Sequence, residues 1–308
     1  MTMWPSIGVV IPTHHRPEML ARAIDAVRKQ DYPGLLRVVV VHDRAGPDGR
    51  LATAVPPAVM VLANQRPPGL AGARNTGIMA LDTDLVAFCD DDDVWHPSKL
   101  RRQVIAMNTV TGGHCLFATC AIEVEFEERL HPRLAGCGSV TVDMLARSRM
   151  AMLHPSGFLA RREALLADGK IGPVVEDAPG SRNEDWDLLI RAARVHPIAH
   201  VDEPLVRVLR GRTSPYANEY RSRISSLRWM MARHPEIAGS RQGAARVYGQ
   251  LACWSIAAGD RRDAWHWTKR TVKANWREPR AFIALAALSR ITSIDKVLTI
   301  LHGRGHGI

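Results

Sequence analysis

Residues 85–93 have the sequence LVAFCDDDD, an apolar run that ends in four consecutive aspartates. The apolar half predicts a buried β-strand, because a short continuous run of this kind is typical of a strand covered on both faces. Adjacent carboxylates repel one another, and a bound cation removes that cost. Oxygen ligands suit a hard ion such as Mg²⁺ or Mn²⁺. The alternative is a solvated acidic turn.

Three other apolar runs, 7–11, 38–41 and 59–62, predict further buried strands. Helical patterns begin at Pro17 and after the glycine-rich turn at Gly69. Apolar strands that alternate with helices favour an α/β fold, with a mostly parallel mixed sheet and helices on both faces. Ligands bind such sheets at the carboxyl ends of the strands. The polar residues expected there are Thr13, His42, Asp43 and the four aspartates.

Composition excludes several classes of protein. The 308 residues are 46% hydrophobic and 23% charged, which excludes a disordered chain or a fibre. Five scattered cysteines without a CxxC pair argue against a disulfide framework and a zinc site. The N-terminus lacks a signal-peptide pattern, and the longest apolar run, 281–288, is too short to span a bilayer. These features predict a reduced, cytoplasmic protein.

The net charge of +10 is unevenly distributed along the chain. Residues 205–308 hold 19 Lys and Arg against 6 Asp and Glu, whereas residues 1–204 are slightly acidic. A basic C-terminal third predicts an acidic partner or surface, namely membrane phospholipid, an anionic lipid carrier, nucleic acid or a peptide. The alternative is a general preference for Arg, since only six of the 41 basic residues are Lys.

The C-terminal third has helical periodicity. Its predicted helices are 216–234, 244–258, 263–275 and one that begins at Pro279. Residues 251–267 loosely resemble one tetratricopeptide-like helix pair. A single repeat cannot bury its own apolar face, so we expect it to pack on another part of the protein or on a second chain.

Five short motifs occur in a fixed order along the first 215 residues. They are VVIPTHHR at 9–16, GARNTG at 72–77, FCDDDDVWHPSKL at 88–100, NEDWDLLIR at 183–191 and DEPLV at 202–206. In order and spacing they resemble the family 2 glycosyltransferases of GT-A fold. One departure is His42-Asp43, where the family has two aspartates. The QxxRW signature of processive synthases is absent, so the resemblance implies transfer of a single sugar.

The resemblance implies roles for the residues of the donor half. Asp92 would be the main ligand of Mn²⁺ or Mg²⁺, with Asp90 and Asp93 beside it. Asp43 would contact the uracil of a UDP-sugar, and Asp90 the sugar or ribose. The remaining residues assigned to nucleotide-sugar binding are Pro12, Thr13, Arg16, Arg74 and Asp91, with Arg210 and Arg212 as a diphosphate clamp.

On the acceptor side the resemblance implies Asp185 as general base, with Glu184 as the second candidate. The same residues are also typical of a helix N-terminus, with Asn183 as the cap and acidic residues in the first turn. Both interpretations can hold together. The Gly- and Pro-rich segment 170–182 is a candidate mobile loop over the site.

These observations predict two domains: a GT-A domain at 1–215, divided near residue 110 into nucleotide and acceptor halves, and a basic helical region at 216–308. The predicted activity is metal-dependent, inverting transfer of one sugar from a nucleotide-sugar, with UDP favoured over GDP or dTDP, to an unknown acceptor. The predicted location is the cytoplasm, with peripheral contact to the inner face of the membrane left open. The alternative is a catalytically idle GT-A-like module whose basic tail docks on nucleic acid or membrane. A nucleotidyltransferase is a third, weaker option, because the N-terminal loop lacks a Gly-rich, Arg-containing pattern.

Overall fold

The structure, a computed structural model, describes residues 4–109, 115–127, 129–209 and 220–289. These residues form two compact units. The first lies within Met1–Thr141, Met150–Asp177 and Glu184–Arg212, and the second within Val142–Arg149, Ala178–Asn183 and Thr213–Ile308. The predicted domain boundary between residues 215 and 216 lies outside the described residues, so that division stays a prediction.

The first unit contains one mixed sheet. Its strands are β1 Ile7–Thr13, β2 Leu36–His42, β3 Ala58–Ala63, β4 Leu85–Phe88, β5 Val94–Trp95, β6 Phe117–Phe126, β7 Arg129–Arg133, β8 Ser139–Val140, β9 Leu159–Arg161 and β10 Ile198–Leu209. They lie in the order β3-β2-β1-β4-β9-β6-β10-β5, with β7 paired to β6 and β8 to β10. Strands β1 to β4 pair in parallel, as do β6 and β10, while the short strands β5, β7, β8 and β9 pair antiparallel. The predicted α/β class is confirmed.

The four strands predicted from apolar runs are all present. The prediction that 59–62 is buried was wrong in part: only Val59 of β3 is buried and Met60 is 48% exposed, because β3 is the edge strand of the sheet. Every residue of β1 and β4 is buried. Strand β1 continues through Pro12 and Thr13, which were expected to begin a loop. Proline is tolerated there because β1 pairs with β4 only as far as Val10, so no N–H is required of Pro12 on that side.

The helices of the first unit are α1 Pro17–Arg28, α2 Leu70–Ala80, α3 Lys99–Thr109 and α5 Glu184–Val195. Helix α1 begins at Pro17, as predicted, and buries Leu20, Ala23, Ile24, Ala26 and Val27. Helix α2 packs too closely on its surroundings to accept larger residues at its glycines. A Cβ at Gly72 would lie 2.0 Å from the Pro67 carbonyl oxygen, and one at Gly77 would lie 2.4 Å from a methyl of Val10.

The topology brings distant residues to one edge of this sheet. The parallel strands β1, β2 and β4 end at Thr13, His42 and Phe88 respectively, so the segments after them meet there. Strand β9 runs antiparallel to β4, so the beginning of β9 lies beside the end of β4. A short 3₁₀ turn, Pro155–Gly157, precedes β9 and therefore reaches the same edge.

The second unit is helical. Its helices are α4 Val142–Arg147, α6 Tyr220–Arg233, α7 Pro235–Gly239, α8 Arg241–Ala257, α9 Arg261–Ala274 and α10 Pro279–Leu288. The four predicted C-terminal helices correspond to α6, α8, α9 and α10, while α4 and the short α7 were not predicted. Ser240 caps α8 by accepting a hydrogen bond from the Gly243 N–H at 3.2 Å, and Asp260 caps α9 by accepting one from the Asp263 N–H at 2.9 Å. Among the described residues, no helix combines the length and hydropathy needed to cross a membrane.

Candidate functional site

Asp90, the first of the four aspartates, is held by a buried arginine. Arg74, in α2, is 2% exposed, and its Nη2 donates to a carboxylate oxygen of Asp90 at 2.8 Å. Its Nη1 lies 3.6 Å from a carboxylate oxygen of Glu184. Burial alone would raise the pKa of Asp90, but the charges of Arg74 and His154 outweigh it and hold this pKa below its usual value. Asp90 is therefore ionised at neutral pH.

Asp91 and Asp92 contact the end of β1 and the start of α1. The Thr13 hydroxyl donates to Asp91 at 2.7 Å. Arg16 donates to Asp92 at 2.7 Å and lies 3.4 Å from Asp91. Burial raises the pKa of Asp91 despite these contacts. The N-terminal motif, residues 9–16, and the aspartate segment, residues 89–93, thus meet in one network although they are far apart in sequence.

Asp93 is buried and is bound by two residues of the turn before β9. The Ser156 hydroxyl donates to its carboxylate, and the same hydroxyl oxygen accepts the Asp90 N–H at 2.9 Å. His154 Nδ1 lies 3.2 Å from Asp93. Burial lowers the pKa of His154, but its hydrogen bond to Asp93 and the charges of Asp93, Asp90 and Asp185 raise it above the usual value.

Asp90, Asp93 and His154 form a group with the chemistry of a cation site. One ligand atom from each lies within 4.8 Å of the others. Two carboxylates and an imidazole suit a divalent ion such as Mn²⁺ or Mg²⁺. The neighbouring Asp92 indicates the same need: burial and the charges of Asp93 and Asp90 raise its pKa to about 6. A bound cation would relieve this excess of negative charge.

Asp43, at the end of β2, is fixed in orientation by its neighbours. Its carboxylate accepts a hydrogen bond from the Asn64 side-chain amide at 2.7 Å and one from the Gly69 N–H at 3.1 Å. Its backbone N–H donates to the Thr13 carbonyl at 2.9 Å, which ties the ends of β1 and β2 together. His42 lies beside it, and burial lowers the pKa of that imidazole.

Glu184 and Asp185 open α5, as the motif predicted. Glu184 is buried against Arg74, whereas Asp185 is only partly buried. The charge of Asp185 acts on the pKa values of Arg74, Asp90 and His154, so its carboxylate lies within electrostatic reach of the aspartate segment. The role of Asp185 as general base stays a prediction.

Most of the residues singled out in the sequence come together. Thr13, Arg16, Arg74, Asp90, Asp91, Asp92 and Asp93 are joined by the contacts above, with Glu184 and Asp185 beside them. Pro12 is buried within β1, and Arg210 and Arg212 lie outside the described residues. The sequence interpretation did not name His154, Ser156 or Asn64. Nothing in the local sequence marks these three, because their relevance depends on the pairing of β9 with β4 and on the loop after β3.

The segment suggested as a mobile loop is attached to the sheet unit at its first half. Asn75 exchanges two hydrogen bonds with the Val174 backbone, at 2.8 and 3.0 Å, and also donates to Glu176 at 2.7 Å. Arg191 of α5 donates to the Pro173 carbonyl at 2.9 Å. Movement of the segment stays a prediction.

The family model described as Glycosyl transferase family 2 matches residues 8–167, which include the strand ends and the aspartate segment. This chain belongs to glycosyl transferase family 2. Among curated relatives, the amylovoran biosynthesis glycosyltransferase AmsB of Erwinia amylovora is 32% identical over 114 residues. That match covers 35% of this chain and 37% of AmsB, so it spans about a third of the relative's length.

Solved structures share the fold of this family 2 chain at low sequence identity. Residues 1–349 of S. aureus TarS, in complex with UDP, align with a TM-score of 0.56 and 16% identity, covering 89% of this chain and 92% of that one. The mannosyltransferase PcManGT from Pyrobaculum calidifontis, in complex with GDP-Man and Mn²⁺, aligns with a TM-score of 0.54 and 18% identity, covering 99% and 81%. Both likenesses concern the fold.

Proposed function

We propose that this chain transfers a single sugar from a nucleotide-sugar, most favourably a UDP-sugar, to a hydroxyl or similar nucleophile of an acceptor, with inversion at the anomeric carbon. The observation that carries the proposal is the cluster at the end of β4. There Arg74 stabilises the ionised form of Asp90, which lies beside Asp93 and His154. Membership of a glycosyltransferase family and a fold shared with proteins bound to UDP or GDP-Man support it.

The donor nucleotide is proposed to lie along the ends of β1 and β2. Asp43 is an oriented hydrogen-bond acceptor, suited to the ring N–H of uracil. Thr13 and Arg16 line the same edge, next to Asp91 and Asp92. Because Arg74 is buried, we propose that it does not contact the diphosphate itself but holds Asp90 in position beside it.

A divalent ion fits the donor set at this edge. The residues that would hold it are Asp90, Asp93 and His154, together with Asp92, which the sequence motif favoured as the main ligand. When bound, such an ion stabilises the charge that develops on the departing diphosphate. His154 would hold the ion as a neutral imidazole, so binding of the ion would displace the proton that Asp93 and Asp90 favour when they raise the pKa of His154.

Asp185 is proposed as the general base. The acceptor oxygen attacks the anomeric carbon as the bond from that carbon to the diphosphate oxygen breaks. The acceptor proton passes to the Asp185 carboxylate, and the nucleoside diphosphate leaves as an anion. Displacement in one step inverts the configuration. Glu184 is the weaker candidate because it is buried against Arg74.

Calorimetric titration of UDP in Mn²⁺ and then in EDTA tests the donor half without knowledge of the acceptor. We expect binding that requires the metal and is lost in Asp92→Asn or Asp93→Asn. Asp25→Asn, an exposed carboxylate on α1 that pairs with Lys29, is the matched control. Binding that persists in EDTA would contradict metal dependence but would leave the nucleotide-sugar proposal standing. Failure of UDP, GDP and dTDP to bind would contradict the nucleotide-sugar proposal and favour the idle module.

A further inference from the structure

The second unit carries a surface that the proposed reaction does not use. Helix α9 buries Ala264, Trp267, Thr268 and Thr271 on one side. The exposed part of the helix includes Trp265, Lys269, Val272 and Lys273. We call these four, with Trp276 and Arg277 that follow the helix, the basic aromatic face.

The apolar members of the basic aromatic face are exposed to solvent. Trp265 is 46% exposed, Val272 41% and Trp276 61%. An exposed indole ring leaves a large apolar area in contact with water. Two exposed tryptophans and a valine on one helix and the residues just after it favour a surface that is covered by a partner.

The charge of the basic aromatic face is of one sign. Among the described residues, no carboxylate pairs with Lys269, Lys273 or Arg277. The two acids nearest in sequence have other partners. Asp263 accepts hydrogen bonds from Arg228, Trp267 and Ser255, and the buried Glu278 accepts one from Arg280. The positive charge is therefore available to an anionic partner.

The rings and the cations of this face are coupled to each other. Lys269 Nζ lies 5.3 Å from the centre of the Trp265 ring, and the Arg277 guanidinium lies 5.0 Å from that of Trp276. A cation over an indole ring covers one of the two faces on which a nucleic-acid base could stack. It leaves the ring edge free, and Trp beside Lys or Arg is the combination that lies at the headgroup level of a bilayer.

We propose that the basic aromatic face docks this chain on the surface of a membrane rich in anionic phospholipid. Lys269, Lys273 and Arg277 meet the lipid phosphates, while Trp265, Val272 and Trp276 enter the boundary between headgroups and acyl chains. This inference does not depend on the proposed sugar transfer, because it concerns residues of the second unit alone.

Flotation of the full chain with vesicles tests the proposal. The vesicles are phosphatidylcholine alone, or equal parts of phosphatidylcholine and phosphatidylglycerol. We expect binding to the anionic vesicles and little to the neutral ones. The double variant Lys269→Gln/Lys273→Gln should weaken binding about 25-fold, about fivefold for each charge. Trp265→Ala/Trp276→Ala should weaken it about tenfold or more and reduce the blue shift of tryptophan emission on binding.

Matched variants separate this face from total charge and total apolar area. Arg22→Gln/Arg28→Gln removes two charges from the exposed side of α1, and Met79→Ala/Ile105→Ala removes two exposed apolar side chains. Both should bind vesicles as the wild type does, and circular dichroism should show every variant folded. Equal weakening by the controls, or no preference for anionic vesicles, would overturn the proposal. Binding to an oligonucleotide but not to vesicles would overturn it in favour of nucleic acid.

Discussion

At the sheet edge of the first unit, acidic side chains meet cations and hydroxyl groups at hydrogen-bond distance, whereas the basic aromatic face of the second unit carries cations that no described carboxylate pairs. Asp90 is held by the buried Arg74, and Asp92 by Arg16. Lys269 and Lys273 instead extend from an exposed helix side. The difference teaches that charge fixed by partners is suited to chemistry at a defined point, while charge left in solvent is suited to a broad and adaptable contact.

The largest expected effect is on turnover. Asp185→Asn keeps the size of the proposed base but removes its ability to accept a proton, so the rate of transfer should fall about 10²- to 10⁴-fold. The rate is measured with a donor and acceptor pair found by screening, and affinity for UDP should be unchanged. Wild-type turnover in Asp185→Asn, with a loss in Glu184→Gln, would move the base to Glu184.

The next effect tests the fixed charge of the first unit. Arg74→Met removes the cation from the buried Glu184 and the partly buried Asp90, which should lower the free energy of unfolding by about 3–5 kcal/mol. Urea denaturation at neutral pH measures it. A loss no greater than that of the exposed control Arg22→Met would show that burial of Arg74 does not organise the cluster.

Lys99 is a buried cation that pairs with no carboxylate in the described part of the chain, and its effect on stability should depend on pH. It is fully buried, its Nζ lies 3.7 Å from the centre of the Trp95 ring and 2.9 Å from the Gln103 side-chain oxygen, and burial lowers its pKa from 10.5 to about 8. Between pH 8 and 10.5 the unfolded chain binds more protons than the folded one, so stability rises with pH in that window. The free energy of unfolding should gain about 2 kcal/mol between pH 7 and 10 relative to Lys99→Met.

Urea denaturation across that pH range checks the prediction for Lys99. The control is Lys29→Met, at the exposed lysine that directly follows α1 and pairs with Asp25. The stability of this variant should change with pH in parallel to that of the wild type. If the stability of Lys99→Met also ran parallel to that of the wild type, the pKa of Lys99 would not be lowered in the folded protein.

A smaller effect is expected where Asn75 holds the segment after residue 170. Asn75→Ala leaves the buried Val174 backbone groups unpaired, a loss of about 1–3 kcal/mol that falls on this segment. Trypsin should then cleave after Lys170 or Arg182 about tenfold faster or more. Asn108→Ala, at an exposed position of α3, is the control. Equal cleavage in both variants would mean that Asn75 does not restrain the segment.

The smallest effect belongs to the basic aromatic face. Lys269→Gln/Lys273→Gln should change the free energy of unfolding by less than about 0.5 kcal/mol, because no described carboxylate loses a partner. Thermal denaturation compares it with the wild type. A large loss of stability would mean that these lysines support the helix rather than face a partner.

The sequence predicts those parts of the molecule that depend on neighbours along the chain. The buried strands follow from continuous apolar runs, and α1 from Pro17 and the spacing of its apolar residues. The meeting of Thr13, Asp43 and the aspartates follows from a general property of parallel sheets. The resemblance to a family supplied Asp185.

The rest depends on contacts between segments far apart in sequence. His154 and Ser156 join the cluster only because β9 pairs antiparallel with β4, and a two- or three-residue strand leaves no periodicity to detect. Arg74 gave no sign that it would be buried, since arginine is almost always exposed. The short helices α4 and α7 are too brief to show a helical repeat.

The aspartate segment 89–93 begins at the end of β4 and ends at the start of β5, and both strands belong to the same sheet. Most connections on a protein surface accept insertions and deletions, because one or both ends can adjust. Here both ends are fixed by strand pairing, so the number of residues between them is constrained independently of which residues they are. A library built to alter this chain should therefore keep the spacing of five residues unchanged, whichever side chains it varies.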